Sequence, residues 1–484
     1  MKERLKLLDY KYSIISAIIM FVFAISFITP LSGNDWVHAV KSSTFTYNEG
    51  GILSDYLANL FVNSKGILAI LFAIVMGYLY SSISPLFGKV ENKYHFLLVP
   101  FFFLILSIET ISINFISVTG VVCYTLPSIA IILYYLYLYK LGNEKYRIQD
   151  YIFLIILSSF IILTTVHLAI AFLISNIIYY AFRVVTYKGF PRIYIVVILL
   201  QIVGTFTILA YMDKSLIYSS VDLMLGSIPK FINQTFSKNI LLFIIGLVPI
   251  TYYLNIKLSN FSYKRVIIVL FSLIPILSLL YNFFNYSPVN LNLVINKYNG
   301  IFATENWYFI FYYIIYMILY VVSITYIIQR KKSRMYILTM LLTGLLSSIF
   351  IMVSPSYSNG SSILFVLTFI ISLAVSIKEV NINLKKSISV VSILIMMYYI
   401  TLASISGYIE YTRDKFVDEQ LNNGYTYVEV RGDPFMLVYR HNPTTPFQMR
   451  DYKKYKGINE DIEIGVKNSS VIKSIGDKVI NSVK

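Results

Sequence analysis

Ser32–Gly66, SGNDWVHAVKSSTFTYNEGGILSDYLANLFVNSKG, is the first water-compatible stretch in a chain dominated by hydrocarbon side chains. It parts the apolar run Tyr12–Leu31 from the apolar run Ile67–Leu86, each close to the ~20 residues that a helix needs to cross a bilayer. Within it, Asp35, His38, Glu49 and Asp55 stand among Trp36, Tyr47 and Tyr56. Carboxylates, aromatic rings and water therefore meet at one membrane face. Taken as a connection at a membrane surface, this loop makes its two neighbours spans and sets the pattern for the rest.

The totals agree. Of 484 residues, 57% are hydrophobic and 13% charged, whereas a soluble chain has about 25% charged residues. Mean hydropathy is +0.71. The net charge of +16 raises the question of nucleic acid. Its distribution argues against that partner, because the basic residues sit in short clusters between apolar runs, as membrane topology demands. A single cysteine, Cys123, rules out an intramolecular disulfide, and four histidines with no two close in sequence give no zinc-ligand spacing. Lys2, Arg4, Lys6 and Lys11 precede an apolar run too long for a signal-peptide core. No small-residue cleavage site follows, so the run is expected to remain as a span.

Further apolar runs follow at His95–Ile111, Val121–Tyr139, Tyr151–Thr165, Leu168–Phe182, Ile193–Tyr211, Ile240–Ile256, Val266–Phe284, Trp307–Ile328, Met335–Val353, Ile363–Ile377 and Ile388–Ile405. Every second connection is basic: Lys89/Lys93, Lys140/Lys145/Arg147, Arg183/Lys188/Arg192, Lys257/Lys264/Arg265, Arg330/Lys331/Lys332/Arg334 and Lys378/Lys385/Lys386. The connections between these hold Lys41, Lys65, Lys214, Lys230, Lys238 and Lys297. The positive-inside rule then puts the N-terminus in the cytoplasm and the C-terminus outside. Tyr151–Phe182 lies between two basic flanks with no acidic or basic residue but His167. Parity predicts a hairpin there, turning near Thr164–His167, rather than one long helix.

Three outside connections, Ser32–Gly66, Met212–Asn239 and Asn285–Asn306, mix aromatics with Asn and Ser and suit segments lying along the membrane. Ser354–Ser362, SPSYSNGSS, is a turn. After Ile405 the composition becomes polar, with strand-like alternation in Tyr425–Val430 and Phe435–Tyr439 around Arg431–Pro434. The expected fold is an all-α polytopic membrane protein of about thirteen spans, residues 1–405, N-in and C-out. A small extracytoplasmic α+β domain, residues 406–484, completes it.

Several side chains carry chemistry. Asp35 suits a helix N-cap, a role that adds about 1 kcal/mol, and equally a base that accepts a proton from a hydroxyl at the water–membrane boundary. Glu49 precedes the flexible pair Gly50–Gly51. Asp55 is expected on the polar face of an amphipathic helix, Ile52–Phe61. Glu109 lies late in the run FFFLILSIETISI, where an ionised carboxylate costs about 2.5–3.5 kcal/mol at mid-membrane. It must face a cavity, a partner or the outer interface. His38 could orient Asp35 or bind phosphate, with Trp36 beside it. His167, at the expected hairpin turn, reads first as a core histidine and second as a ligand. Lys41, Lys230, Lys238 and Lys297 are either solvated surface lysines or the scarce outer cations that would receive a phosphate.

The Asn34–Asp35 step past the first span, the short hairpin and the C-terminal soluble domain together resemble the glycosyltransferase C superfamily. The chain is also similar to a family of bacterial polytopic membrane proteins, through Asn34–Trp36 (NDW), Ser117–Tyr124 (SVTGVVCY), the SPSYSNGSS turn and Tyr452–Ile458 (YKKYKGI). The resemblance implies an enzyme of the bacterial cytoplasmic membrane that transfers a sugar from a polyprenyl-phosphate donor to a glycan or lipid acceptor of the cell envelope. Asp35 would be its catalytic base or a ligand of a divalent cation, Mg2+ or Mn2+. Two departures stand out: Asn34 where the first loop often has a paired acid, and Asn359–Gly360 where an arginine is common. A lipid-linked glycan flippase or transporter is the alternative from another class, and a polysaccharide polymerase a third. Transporters often carry internal repeats and broken helices, and the sequence displays no convincing repeat.

Overall fold

The computed structural model describes residues 2–29, 31, 35, 51–88, 92–141, 147–187, 192–211, 235–236, 238–259, 261–263, 265–273, 307–352, 362–425, 427–431, 446–459 and 461–467. Among these, six helices are long and apolar enough to cross a membrane, or seven when one sharply bent pair counts as a span; four shorter apolar helices accompany them. The protein is an α-helical membrane protein.

In chain order the helices are α1 (Lys2–Ile28), α2 (Ile52–Val62), α3 (Lys65–Ile83), α4 (Leu98–Leu104), α5 (Ile108–Ile111), α6 (Leu126–Leu141), α7 (Ile148–Thr164), α8 (Val166–Tyr187) and α9 (Arg192–Tyr211). There follow α10 (Ile240–Ile245), α11 (Leu247–Lys257), α12 (Trp307–Ile327), α13 (Arg334–Met352), α14 (Ile363–Glu379) and α15 (Ser387–Asn422). Beyond them lie β1 (Tyr427–Arg431), α16 (Pro446–Lys456) and β2 (Glu463–Lys467), the two strands pairing in parallel.

The bundle is built around α14, whose residues from Ile363 to Ile377 are all buried. Its hydroxyls do not need neighbours: Thr368, Ser372 and Ser376 each donate to the carbonyl three residues back, at 3.0, 2.9 and 2.8 Å. Small residues let other helices come close, as is usual between membrane helices. A Cβ added at Gly344 of α13 would lie 2.5 Å from the Thr368 hydroxyl, and one at Gly77 of α3 would lie 2.7 Å from Ile19 of α1.

α7 and α8 fold back on each other. Gln201 of α9 donates to Ser158 of α7 at 3.3 Å and accepts from Asn176 of α8 at 3.1 Å. In one unbroken helix Ser158 and Asn176 would stand ~27 Å apart, so a single glutamine could not touch both. The turn falls at Thr165, the residue in extended conformation between the two helices.

The expected span His95–Ile111 departs from expectation. The chain bends by 88° between Lys93–Leu104 and Glu109–Ile116, then continues through a π-helical segment, Ser112–Ile116, and a second, Val121–Thr125. Irregular backbone at membrane depth needs partners from within the protein. Tyr399 of α15 donates to the Leu104 and Leu106 carbonyls at 3.3 and 3.2 Å, and Asn239 accepts from the Ser107 N–H at 3.0 Å.

α1 and α15 run parallel and in register. The offset of 379 residues between Tyr10 and Ser389, whose hydroxyls meet at 3.2 Å, recurs between Ile28 and Gly407, where a Cβ would lie 2.8 Å from the Ile28 carbonyl. First and last spans that point the same way require an odd number of crossings. Basic residues collect at the end where both helices begin. Lys93 stands 5.2 Å from the Tyr10 ring centre, Asn92 donates to the Leu384 carbonyl at 2.9 Å, and Lys331 pairs with Glu379 at 2.9 Å. α15 passes Ile405 without a break and continues to Asn422, so the apolar run and the start of the polar tail form one helix. The tail has its own small core of Val417, Val428, Tyr452, Ile458 and Ile464. Strand β1 matches the expected Tyr425–Val430 within a few residues; the expected strand Phe435–Tyr439 lies outside the described residues.

Candidate functional site

At the end of the bundle opposite the basic residues, Asp35 is fully buried. Its Oδ1 accepts from the Ser117 hydroxyl at 3.1 Å, the Thr119 N–H at 2.9 Å and the Thr119 hydroxyl at 2.9 Å. The sequence Ser117–Val118–Thr119–Gly120 builds this cradle. Ser117 caps the short helical turn that follows by accepting from the Gly120 N–H at 3.2 Å. Gly120 is required because a Cβ there would fall 1.5 Å from the Ile113 carbonyl oxygen, which the folded-back π-helical segment brings up against it. Asp35 thus meets a turn 84 residues further along the chain through both a backbone amide and hydroxyls.

Lys65 stands within electrostatic range of Asp35 and anchors to the carbonyl of Thr29, at the end of α1, at 2.5 Å. A buried carboxylate needs such compensation. Next to this pair is a cavity of about 10 Å³ among Ser26, Lys65, Phe72, Ile116 and Val118, on the order of the room one water needs.

Glu109 opens α5 just past the bend and forms an ion pair with Lys238 at 2.7 Å. Both are partly buried, at 15% and 21% exposure, which separates the pair from a solvated surface contact. Ser107 caps α5, its hydroxyl accepting from the Thr110 N–H at 3.1 Å. Two residues singled out separately by sequence therefore meet in space, and Lys238 is not a free surface lysine.

Helix α2 covers the irregular segment from above. Ser54 donates to the Thr164 carbonyl at 2.7 Å, and a Cβ at Gly51 would sit 1.6 Å from the same oxygen. This contact fixes the start of α2 on the α7–α8 turn. Asp55, expected on a polar face, is buried at 7% exposure. That face of α2 packs on protein rather than meeting water. His167 lies one residue into α8 with its ring 6.4 Å from that of Tyr124, and its Nε2 has no hydrogen-bond partner among the described residues.

Of the other residues marked by sequence, Trp36, His38, Lys41, Glu49, Lys230 and Lys297 lie outside the described residues. Ser117, Thr119 and Lys65 were not singled out as site residues, although Ser117 and Thr119 lie in a stretch quoted for its resemblance. A run of hydroxyl residues next to a glycine inside an apolar segment was the available signal. Among the described residues no three His, Cys, Asp or Glu side chains group to hold a metal ion.

Compared with family models, curated proteins and solved structures, the chain matches none.

Proposed function

We propose that the chain is a glycosyltransferase of the bacterial cytoplasmic membrane, with about thirteen spans, its basic end in the cytoplasm and its Asp35 end outside. The observation that carries this reading is a buried carboxylate, cradled by Ser117 and Thr119 with Lys65 nearby, at the end opposite the basic residues. In the proposed reaction a polyprenyl-phosphate sugar enters laterally from lipid. An apolar hollow lined by Phe21, Val22, Met76, Pro100, Phe103 and Leu104 reaches the last residue before the bend and suits the isoprenoid chain. The acceptor hydroxyl of a glycan or lipid gives its proton to Asp35 while its oxygen attacks the anomeric carbon. The sugar–phosphate bond breaks, and the polyprenyl phosphate leaves with the bonding electrons. Lys65 and Lys238 are the described cations suited to the leaving phosphate. Asp35 is fully covered, so this chemistry requires its covering segments to open.

The test is transfer of labelled sugar from a synthetic polyprenyl-phosphate donor by purified protein, alongside surface-glycan analysis in cells. Asp35→Asn is expected to keep the fold and lower transfer by roughly 10²-fold or more. Undiminished transfer at normal protein level would remove Asp35 from the chemistry. A polymerase differs in requiring a lipid-linked repeat unit as donor.

A second reading, a lipid-linked glycan flippase, is favoured by one observation. The 88° break between Leu104 and Glu109 resembles the discontinuous helices that form transporter sites. Movement of an intact lipid-linked sugar across vesicles, with no new glycosidic bond, would decide for it.

A further inference from the structure

We propose that the basic end carries a binding site for an anionic phospholipid, in the cleft between α8 and α13. The cleft has a volume of about 380 Å³, with apolar walls that include Ile178, Phe182, Leu338 and Leu342 and a rim that includes Lys332 and Arg334. Ile178 and Phe182 are 47% and 55% exposed, and at membrane depth that exposure is to lipid.

Among the described residues, the rim holds more positive charge than is neutralised. Four of the five residues from Arg330 to Arg334 are basic. Glu379 offsets part of this, but it is shared at 2.9 Å between Lys331 and Lys378. Lys332 and Arg334 are exposed and make no ion pair among the described residues. Arg334 also begins α13, a helix of 19 residues, whose N-terminal partial positive charge adds to the same field.

Charge and shape together select the ligand. A free phosphate would meet the rim but gain nothing from the apolar walls. A zwitterionic headgroup brings a cation that Lys332 and Arg334 repel. An anionic phospholipid satisfies both features, its phosphate on the rim and its upper acyl chain along Ile178, Phe182 and Leu338. Basic pockets between helices at the cytoplasmic face bind headgroups in this way. The site lies at the opposite end from Asp35 and does not depend on the proposed transferase reaction.

The test uses the full chain in mild detergent, with native mass spectrometry counting retained lipid after exchange with phosphatidylglycerol, phosphatidylcholine or inorganic phosphate. Phosphatidylglycerol is expected to bind at least tenfold more tightly than phosphatidylcholine. The double variant Lys332→Gln/Arg334→Gln should lose roughly tenfold of that affinity or more. Leu338→Trp, which fills the apolar wall, should weaken phosphatidylglycerol binding while leaving phosphate binding unchanged. Equal retention of both lipids, unchanged binding in the double variant, or phosphate binding as tight as lipid binding would each overturn the proposal. Should the double variant fail to fold, the wild-type protein reads the same contribution. Its preference for phosphatidylglycerol must fall as salt rises from low to high, and a preference indifferent to salt overturns the proposal.

Discussion

At the scale of single residues, Asp35 and Gly51 make opposite demands on the same end of the bundle, one for an acceptor and one for empty space. Asp35→Ala leaves the buried Thr119 N–H and the Ser117 and Thr119 hydroxyls without their acceptor. With buried unsatisfied donors at about 1–3 kcal/mol each and hydroxyls free to rotate, a loss of about 2–4 kcal/mol is expected. Asp35→Asn keeps an oxygen in place and should lose less than half as much. Thermal unfolding in detergent measures both; equal melting temperatures for the two variants would mean that the cradle contributes little. Gly51→Ala places a methyl group 1.6 Å from the Thr164 carbonyl oxygen, so α2 must lift from the α7–α8 turn, costing more than about 2 kcal/mol on the same assay. Asp35 was legible in the sequence as a chemically loaded position just past the first span. Its burial was not, because the partners that cover it lie 82 and 84 residues away.

At the scale of elements, charge parity made the α7–α8 hairpin readable, whereas backbone geometry hid the break after α4. Two basic flanks around an uncharged stretch demand a return of the chain, and Gln201 joining Ser158 to Asn176 is the contact that such a return allows. Gln201→Leu removes two hydrogen bonds, which average ~0.6 kcal/mol each between membrane helices, and leaves a carboxamide and a hydroxyl unpaired in hydrocarbon. A loss of about 1–3 kcal/mol is expected, against ~0.6 kcal/mol for Ser158→Ala. Unfolding in graded denaturing detergent separates the two variants, and identical curves would contradict the bridge. The break between Leu104 and Ser107 left no such mark. The run FFFLILSIETISI reads as continuous because its bend is satisfied by Tyr399 and Asn239, far off in sequence. Apolar periodicity reports what faces lipid or core; it does not report where backbone groups find distant partners.

At the scale of the whole molecule, the tail and the topology are each open to a test. Tyr452 donates to Asp414 at 3.1 Å in the tail's small core, and burial first, with the Asp414 charge adding to it, raises its phenol above the ordinary value of 10.0. Above that value the docked tail binds more protons than the undocked chain, so its stability is present at lower pH and falls as pH rises further. Limited proteolysis of the tail should accelerate above pH ~10 in the wild-type protein and lose that step in Tyr452→Phe. A step that survives in Tyr452→Phe would mean that the Tyr452 phenol is not its source. The proposed topology rests on the parallel pair α1 and α15. Lys385, just before α15, and Thr412, well along it, are both exposed and are separated by ~40 Å of helix, more than the ~30 Å hydrocarbon core. Cys123 is buried and unavailable, so single cysteines introduced at these positions report cleanly. A membrane-impermeant maleimide added to intact cells is expected to label Thr412→Cys at once and Lys385→Cys after permeabilisation. Labelling of both from one side would mean that α15 does not cross the membrane. The odd parity would then fail, and the basic end could no longer be assigned to the cytoplasm on the strength of its charge alone.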